Sequence, residues 1–151
     1  MAKSKFEIAL RAHAKQVAAY IKDDAPRVVG TLAVNHAKQT FDDEGFTDTV
    51  LEPWKEVKRR EDPKASPRNQ TRKILSDTGD LKDSVRYQQE GMTVKIGSDL
   101  DYARPHNEGT DNAGRGGKTK LPKRQFIGDS ESLKAEMRKE IKSDLKKIAK
   151  L

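Results

Sequence analysis

The sequence predicts an α+β fold: an N-terminal helical pair, a small antiparallel sheet and a C-terminal helix. Three observations carry this. Apolar residues recur at spacings of three and four near both ends of the chain, the period of one helix face. Between them, Met92-Thr93-Val94-Lys95-Ile96 alternates apolar and polar, the period of a strand. Prolines and glycines then interrupt the middle often enough to keep its elements short.

The first helix is read from Phe6, Leu10, His13, Val17 and Ile21, with Ala and Lys filling much of the remainder. Asp23-Asp24-Ala25-Pro26 ends it, and the proline starts a second helix. Val29, Leu32 or Ala33, His36, Ala37 and Phe41 mark the second apolar face, and Gly45 is the expected C-cap. A short turn would make the two antiparallel. From 46 to 73 the periodicity disappears among three prolines and many charges, so an irregular connection is expected there. Trp54, the only tryptophan, is expected to pin that connection to the core.

Asp77 or Thr78 is placed to cap a short helix, with Asp80 and Asp83 near its start. Val85 to Glu90 and Met92 to Ile96 form a hairpin turning at Glu90-Gly91. Asp101 to Gly109 reads as a turn or short helix, and a glycine-rich loop covers about 107–121. Gln125-Phe126-Ile127 is expected as a further strand. Asp129 or Ser130 then caps a last helix striped by Leu133, Met137, Ile141, Leu145 and Ile148. One domain over 1–151 is the expectation from length.

The composition narrows the function classes. Only 33% of the 151 residues are hydrophobic and 36% are charged, a thin supply for a core, which neighbouring subunits could complete. The net charge of +7 allows contact with a polyanion. There are no cysteines, so disulfides and thiolate metal sites are excluded. No run approaches the ~20 apolar residues of a membrane span. The amphipathic start lacks the apolar core of a signal peptide, so a cytoplasmic site of synthesis is expected.

Within Asn112 to Arg124, Gly-Arg-Gly-Gly-Lys-Thr resembles a phosphate-binding loop. That motif needs a glycine where Asn112 stands, a buried strand before it and a helix after it. None is present, since Leu121-Pro122 follows within three residues of Thr119. Tyr102, Arg104, His106 and Glu108 could serve acid–base chemistry, but the sequence supplies no second base beside them. His13, His36 and His106 lie far apart, so no metal or cofactor is expected. The charge itself is uneven. Seven cations (Lys58, Arg59, Arg60, Lys64, Arg68, Arg72 and Lys73) face only Glu61 and Asp62. Arg104, Arg115, Lys118, Lys120, Lys123 and Arg124 face only Glu108 and Asp111. Such segments suit DNA phosphates or an acidic neighbouring protein.

Three segments recur in a known order: Thr78-Gly79-Asp80-Leu81-Lys82-Asp83-Ser84, then Tyr102-Ala103-Arg104-Pro105-His106-Asn107-Glu108-Gly109, then Pro122-Lys123-Arg124-Gln125-Phe126-Ile127-Gly128. In this the chain resembles the tailed-phage virion morphogenesis family, the Mu-type tail-completion and neck proteins. The resemblance implies a small sheet flanked by helices, similar to tail-terminator and joining proteins. It implies a non-enzymatic part of the head–tail junction: a homo-oligomeric ring, often six-fold, that completes the tail or joins it to the head. Connector and tail-tube proteins would be its neighbours, packaged DNA would pass through it, and no membrane would be involved. A virion location follows, with assembly in the host cytoplasm. Thr78, Gly79, Leu81 and Ser84 would cap, turn, anchor and end a helix. Tyr102, Ala103, His106 and Gly109 would hold the turn before the glycine-rich insert, and Pro122, Arg124, Phe126 and Gly128 the segment after it. The alternatives are a small basic nucleic-acid-binding protein or nuclease, and a head-completion adaptor.

Overall fold

The computed structural model describes residues 4–150. It is α+β, with a long helix interrupted by a π turn at the N-terminus, three hairpins and short helices in the middle, and a second long helix at the end. Helix α1 (Lys5–Ala19) starts at Ser4 in a capping box. The Ser4 hydroxyl accepts from the Glu7 N–H at 3.2 Å, and the Glu7 carboxylate accepts from the Ser4 N–H at 3.0 Å.

The expected turn at Asp23–Pro26 is absent. The chain passes through a π-helical turn, Tyr20–Asp24, directly into α2 (Ala25–Asp43). The physical reason lies in the wider turn. It lets the Ala25 N–H reach the Tyr20 carbonyl five residues back, and the next residue, Pro26, has no N–H to satisfy. The predicted antiparallel pair is therefore one helix, about 58 Å long at 1.5 Å per residue. Its α2 half buries Gly30, Ala33, Ala37, Thr40 and Phe41, while α1 buries nothing. The helix stops at Glu44, in the left-handed conformation with φ 51°, and not at Gly45. The Glu44 carboxylate accepts from Arg60 and from the Ile74 N–H, and those contacts hold the unusual backbone.

The segment 46–73 is ordered, contrary to expectation. It contributes to the hairpin β1 (Gly45–Thr47) with β2 (Leu51–Pro53), and it carries two single-turn helices, α3 (Lys58–Glu61) and α4 (Pro67–Thr71). Its organiser is Arg59, whose guanidinium donates to the carbonyls of Asn69, Arg72 and Lys73 at 2.7 to 3.0 Å. Backbone groups that lack a ladder are satisfied this way. Trp54 does anchor the segment. It is buried, its Nε1–H donates to the Gln125 carbonyl at 2.8 Å, and its ring meets Phe41 edge-on at 5.6 Å.

Helix α5 (Asp80–Ser84) begins at Gly79, whose φ of 92° supplies the entry; Thr78 bonds only the Asp80 N–H, so the cap differs from the predicted Asp77 or Thr78. The expected hairpin forms from β3 (Arg86–Glu90) and β4 (Thr93–Gly97), but its turn is Gly91-Met92, one residue later than the expected Glu90-Gly91, and Glu90 pairs with Thr93. It lies against α2 where Gly30 faces Tyr87: a Cβ on Gly30 would sit 2.5 Å from the tyrosine ring. Helix α6 (Ala103–Glu108) follows. The glycine-rich insert is a hairpin as well, β5 (Thr110–Ala113) with β6 (Thr119–Leu121). The three hairpins do not join into one sheet.

Gln125–Ile127 is not a strand. Asn107 takes the place of a pairing strand: its Oδ1 accepts from the N–H groups of Phe126 and Ile127 at 2.8 and 2.9 Å, and its amide donates to the Ile127 carbonyl at 3.1 Å. Helix α7 (Glu131–Ala149) is capped by Ser130, fully buried, whose hydroxyl accepts from the Leu133 N–H and donates to the Thr47 carbonyl at 2.9 Å. From there α7 runs back along α2, and Asp144 accepts from the Tyr20 hydroxyl at 3.0 Å. Burial, helped by that carboxylate, pushes the Tyr20 phenol up to about 12. The core between these elements is Ala37, Phe41, Trp54, Ile74, Leu81, Val85, Ala103 and Phe126.

Candidate functional site

The three sequence segments meet in one place. Leu81, Ala103 and Phe126 supply one buried core residue each, and the Phe126 ring packs tilted against Phe41 at 5.1 Å. Ser84 closes α5 by donating to the Leu81 carbonyl at 2.8 Å and shares a 2.7 Å hydrogen bond with Ser98 just past β4. Arg124 is buried. Its Nε and Nη2 donate to the Lys55 carbonyl at 3.3 and 3.0 Å, and its backbone N–H donates to the His106 carbonyl at 2.8 Å. Gly109 permits the close passage of these strands of chain. Its φ is 78°, and a Cβ there would lie 2.8 Å from the Lys123 nitrogen. Pro122 is half-buried beside it, and Gly128 is exposed at the approach to α7.

In front of this junction is a cleft of about 300 Å³. Thr78 and Gly79 form one wall, Tyr102 and His106 another, and Arg59, Arg72 and Lys73 approach from the α3–α4 segment. Tyr102 and His106 sit edge to face at 6.2 Å, as their spacing of four predicts. Burial holds the His106 imidazole below its usual value, and the Arg124 charge acts in the same direction. Its Nδ1 is enclosed and unpartnered, and no hydrogen bond couples the ring to a carboxylate or a hydroxyl. Among the described residues no group of three or more histidine or acidic side chains is placed to hold a metal ion.

The two basic segments separate in the structure. In the first, most charges are engaged internally. Arg59 holds backbone carbonyls, Arg60 pairs with Glu44 and Glu56, and Arg72 pairs with Asp77, with Arg68 3.9 Å from the same carboxylate. Lys73 reaches Asp42. Lys58 and Lys64 are exposed. In the second segment Arg124 is buried, Arg104 pairs with Glu108, and Lys120 lies 3.2 Å from Asp111. Arg115 and Lys118 stand exposed on the β5–β6 hairpin, with Lys123 exposed at its base. The sequence pattern counts charge and does not see which charges fold back on the chain. It also missed Asn107 and Glu44, the two polar hubs; their only signal is position, Asn107 inside the second segment and Glu44 at a helix end.

Apolar surface stays uncovered in several places among the described residues. On α1, Phe6 is 74% exposed and Leu10 is also exposed. At the β1–β2 tip, Val50 and Leu51 are 68% and 46% exposed. On α7, Ile141, Leu145 and Ala149 line a groove whose walls, among the described residues, are all on α7. No helix among the described residues is long and apolar enough to cross a membrane.

A family model described as the phage virion morphogenesis family matches residues 9–146. No curated protein and no solved structure matches.

Proposed function

The chain belongs to the phage virion morphogenesis family, and from that premise we propose that it is a structural protein of the head–tail junction, a homo-oligomeric ring of six copies that completes the tail or joins it to the head. Beyond the family, the observation that supports this reading is the apolar surface left open on α1, the β1–β2 tip and α7 of a chain with so small a core. Separate, dissimilar patches on one subunit suit head-to-tail contacts, which close into rings. The role is non-enzymatic: the three shared segments serve the junction of Phe126, Arg124 and Ala103 and leave His106 without a coupled base. The exposed cations of the β5–β6 hairpin suit the phosphates of DNA passing through, or an acidic connector or tail-tube neighbour.

Native mass spectrometry of the purified chain and images of virion necks test the proposal. A six-fold ring, free or seated on a tail end, is expected. A strictly monomeric particle that never joins a virion overturns it, and a twelve-fold ring would reassign the chain to a head-completion adaptor.

A further inference from the structure

The α7 groove and the β1–β2 tip have complementary character. The groove runs between two rows of side chains on one helix: Ile141, Leu145 and Ala149 form the apolar row, and Arg138, Lys142 and Lys146 form the other. These repeats of three and four keep each row on one side of the helix. The tip carries Val50 and Leu51 exposed between Asp48 and Glu52. We infer that the β1–β2 tip of one copy seats in the α7 groove of the next, and that this is the contact which closes the ring. The inference rests on the ring reading above.

Charge selects this occupant over the exposed α1 stripe. The exposed α1 stripe is accompanied by Lys5, Arg11 and Lys15 against Glu7 alone, and would meet three cations with more cations. The tip brings two carboxylates to the same three cations. Glu52 pairs with no cation among the described residues, whereas Asp48 already accepts from the Glu131 N–H at 2.7 Å. A subunit cannot fill its own groove. The tip is tied to the start of α7 through Ser130 and Asp48. Leu145 lies fourteen residues along that helix, about 21 Å at 1.5 Å per residue. The tip extends two or three residues beyond Asp48, at most about 10 Å. A contact between different patches at opposite ends of the subunit is head to tail.

The absence of cysteine makes the test clean. Leu51→Cys and Leu145→Cys are made singly in the full chain, mixed and oxidised, with Phe6→Cys mixed with Leu145→Cys as the comparison. The first mixture is expected to give a disulfide dimer at least about tenfold above the second, and the double variant Leu51→Cys/Leu145→Cys a ladder ending at the ring. Glu52→Lys raises the concentration at which the ring dissociates about tenfold, and Glu52→Lys with Lys142→Glu restores it. If native mass spectrometry shows the wild-type ring but these pairs do not crosslink, the contact is wrong and the ring reading stands. Efficient crosslinking of Phe6→Cys to Leu145→Cys instead gives the groove to α1. If neither ring nor crosslink appears, both readings fall.

Discussion

Gly30→Ala sets two effects of known size against each other. On a helix interior, replacing glycine by alanine stabilises by about 0.8–1.0 kcal/mol, through backbone entropy. At Gly30 the new methyl would lie 2.5 Å from two ring carbons of Tyr87, where carbon atoms prefer about 3.5–4.0 Å. The atoms nearest the methyl include the ring carbon bonded to the tyrosine's own Cβ, so the side chain cannot flex away without moving β3. Overpacking of this kind costs about 1–3 kcal/mol. The clash outweighs the helix gain over most of that range, and the expected net loss is up to about 2 kcal/mol, or a fall in Tm of up to about 8 °C for a chain of this length. In a Tyr87→Ala background the obstruction is gone and only the helix term remains. There the same substitution should stabilise by up to about 1 kcal/mol. Thermal and urea melts of the four proteins, followed by circular dichroism, give the coupling directly. If Gly30→Ala changes stability equally in both backgrounds, or stabilises the wild type, the packing of β3 on α2 is not as described.

Two further changes probe the polar framework. Glu44 is opposed by burial, but its bonds to Arg60 and to the Ile74 N–H hold its carboxyl below the usual range, and Lys82 does the same for Asp42. Both values are depressed on folding, so their contribution is present above the unfolded values near about 4 and is lost as pH falls through the folded ones. Glu44→Gln should cost about 1.5–3 kcal/mol at pH 7 and flatten the decline in stability below the unfolded value near about 4, read from urea melts across the acid range. Arg124→Lys keeps the charge but cannot reproduce the planar pair of donors to the Lys55 carbonyl. It should lower stability by about 1–3 kcal/mol, and a loss no greater than that of exposed Lys123→Ala would refute a structural role for the guanidinium.

Local pattern carried the long elements and missed the connections, for identifiable reasons. Periodicity placed the α2 stripe through Ala37 and Phe41, the β3–β4 hairpin and the length of α7, because those features follow from side chains a few residues apart. It split the N-terminal helix at Pro26 because a π turn has no sequence signature of its own. It read 46–73 as irregular because that segment is ordered by Arg59 and Trp54 reaching across the chain, and such partners are invisible to local spacing. Similarly, Gln125–Ile127 resembles a strand, but its hydrogen bonds go to the side chain of Asn107. Of the site, the three segments were legible as residues, and their convergence on Phe41 and the cleft was not.

The π turn at Tyr20–Asp24 also has a mechanical consequence. Ahead of it, α1 is a rod of about 22 Å with no buried residue, joined to a half-helix that is fixed in the core. Rotation of the rod by about 10° at that turn carries its far end through about 4 Å, more than half a helical turn's rise, with Phe41 and its neighbours undisturbed. The arm is thus a lever whose pivot is braced by the buried Tyr20 and its bond to Asp144. It can follow a docking surface that sits at slightly different radii from one position to the next, as when partners of unequal rotational order are stacked on a common axis.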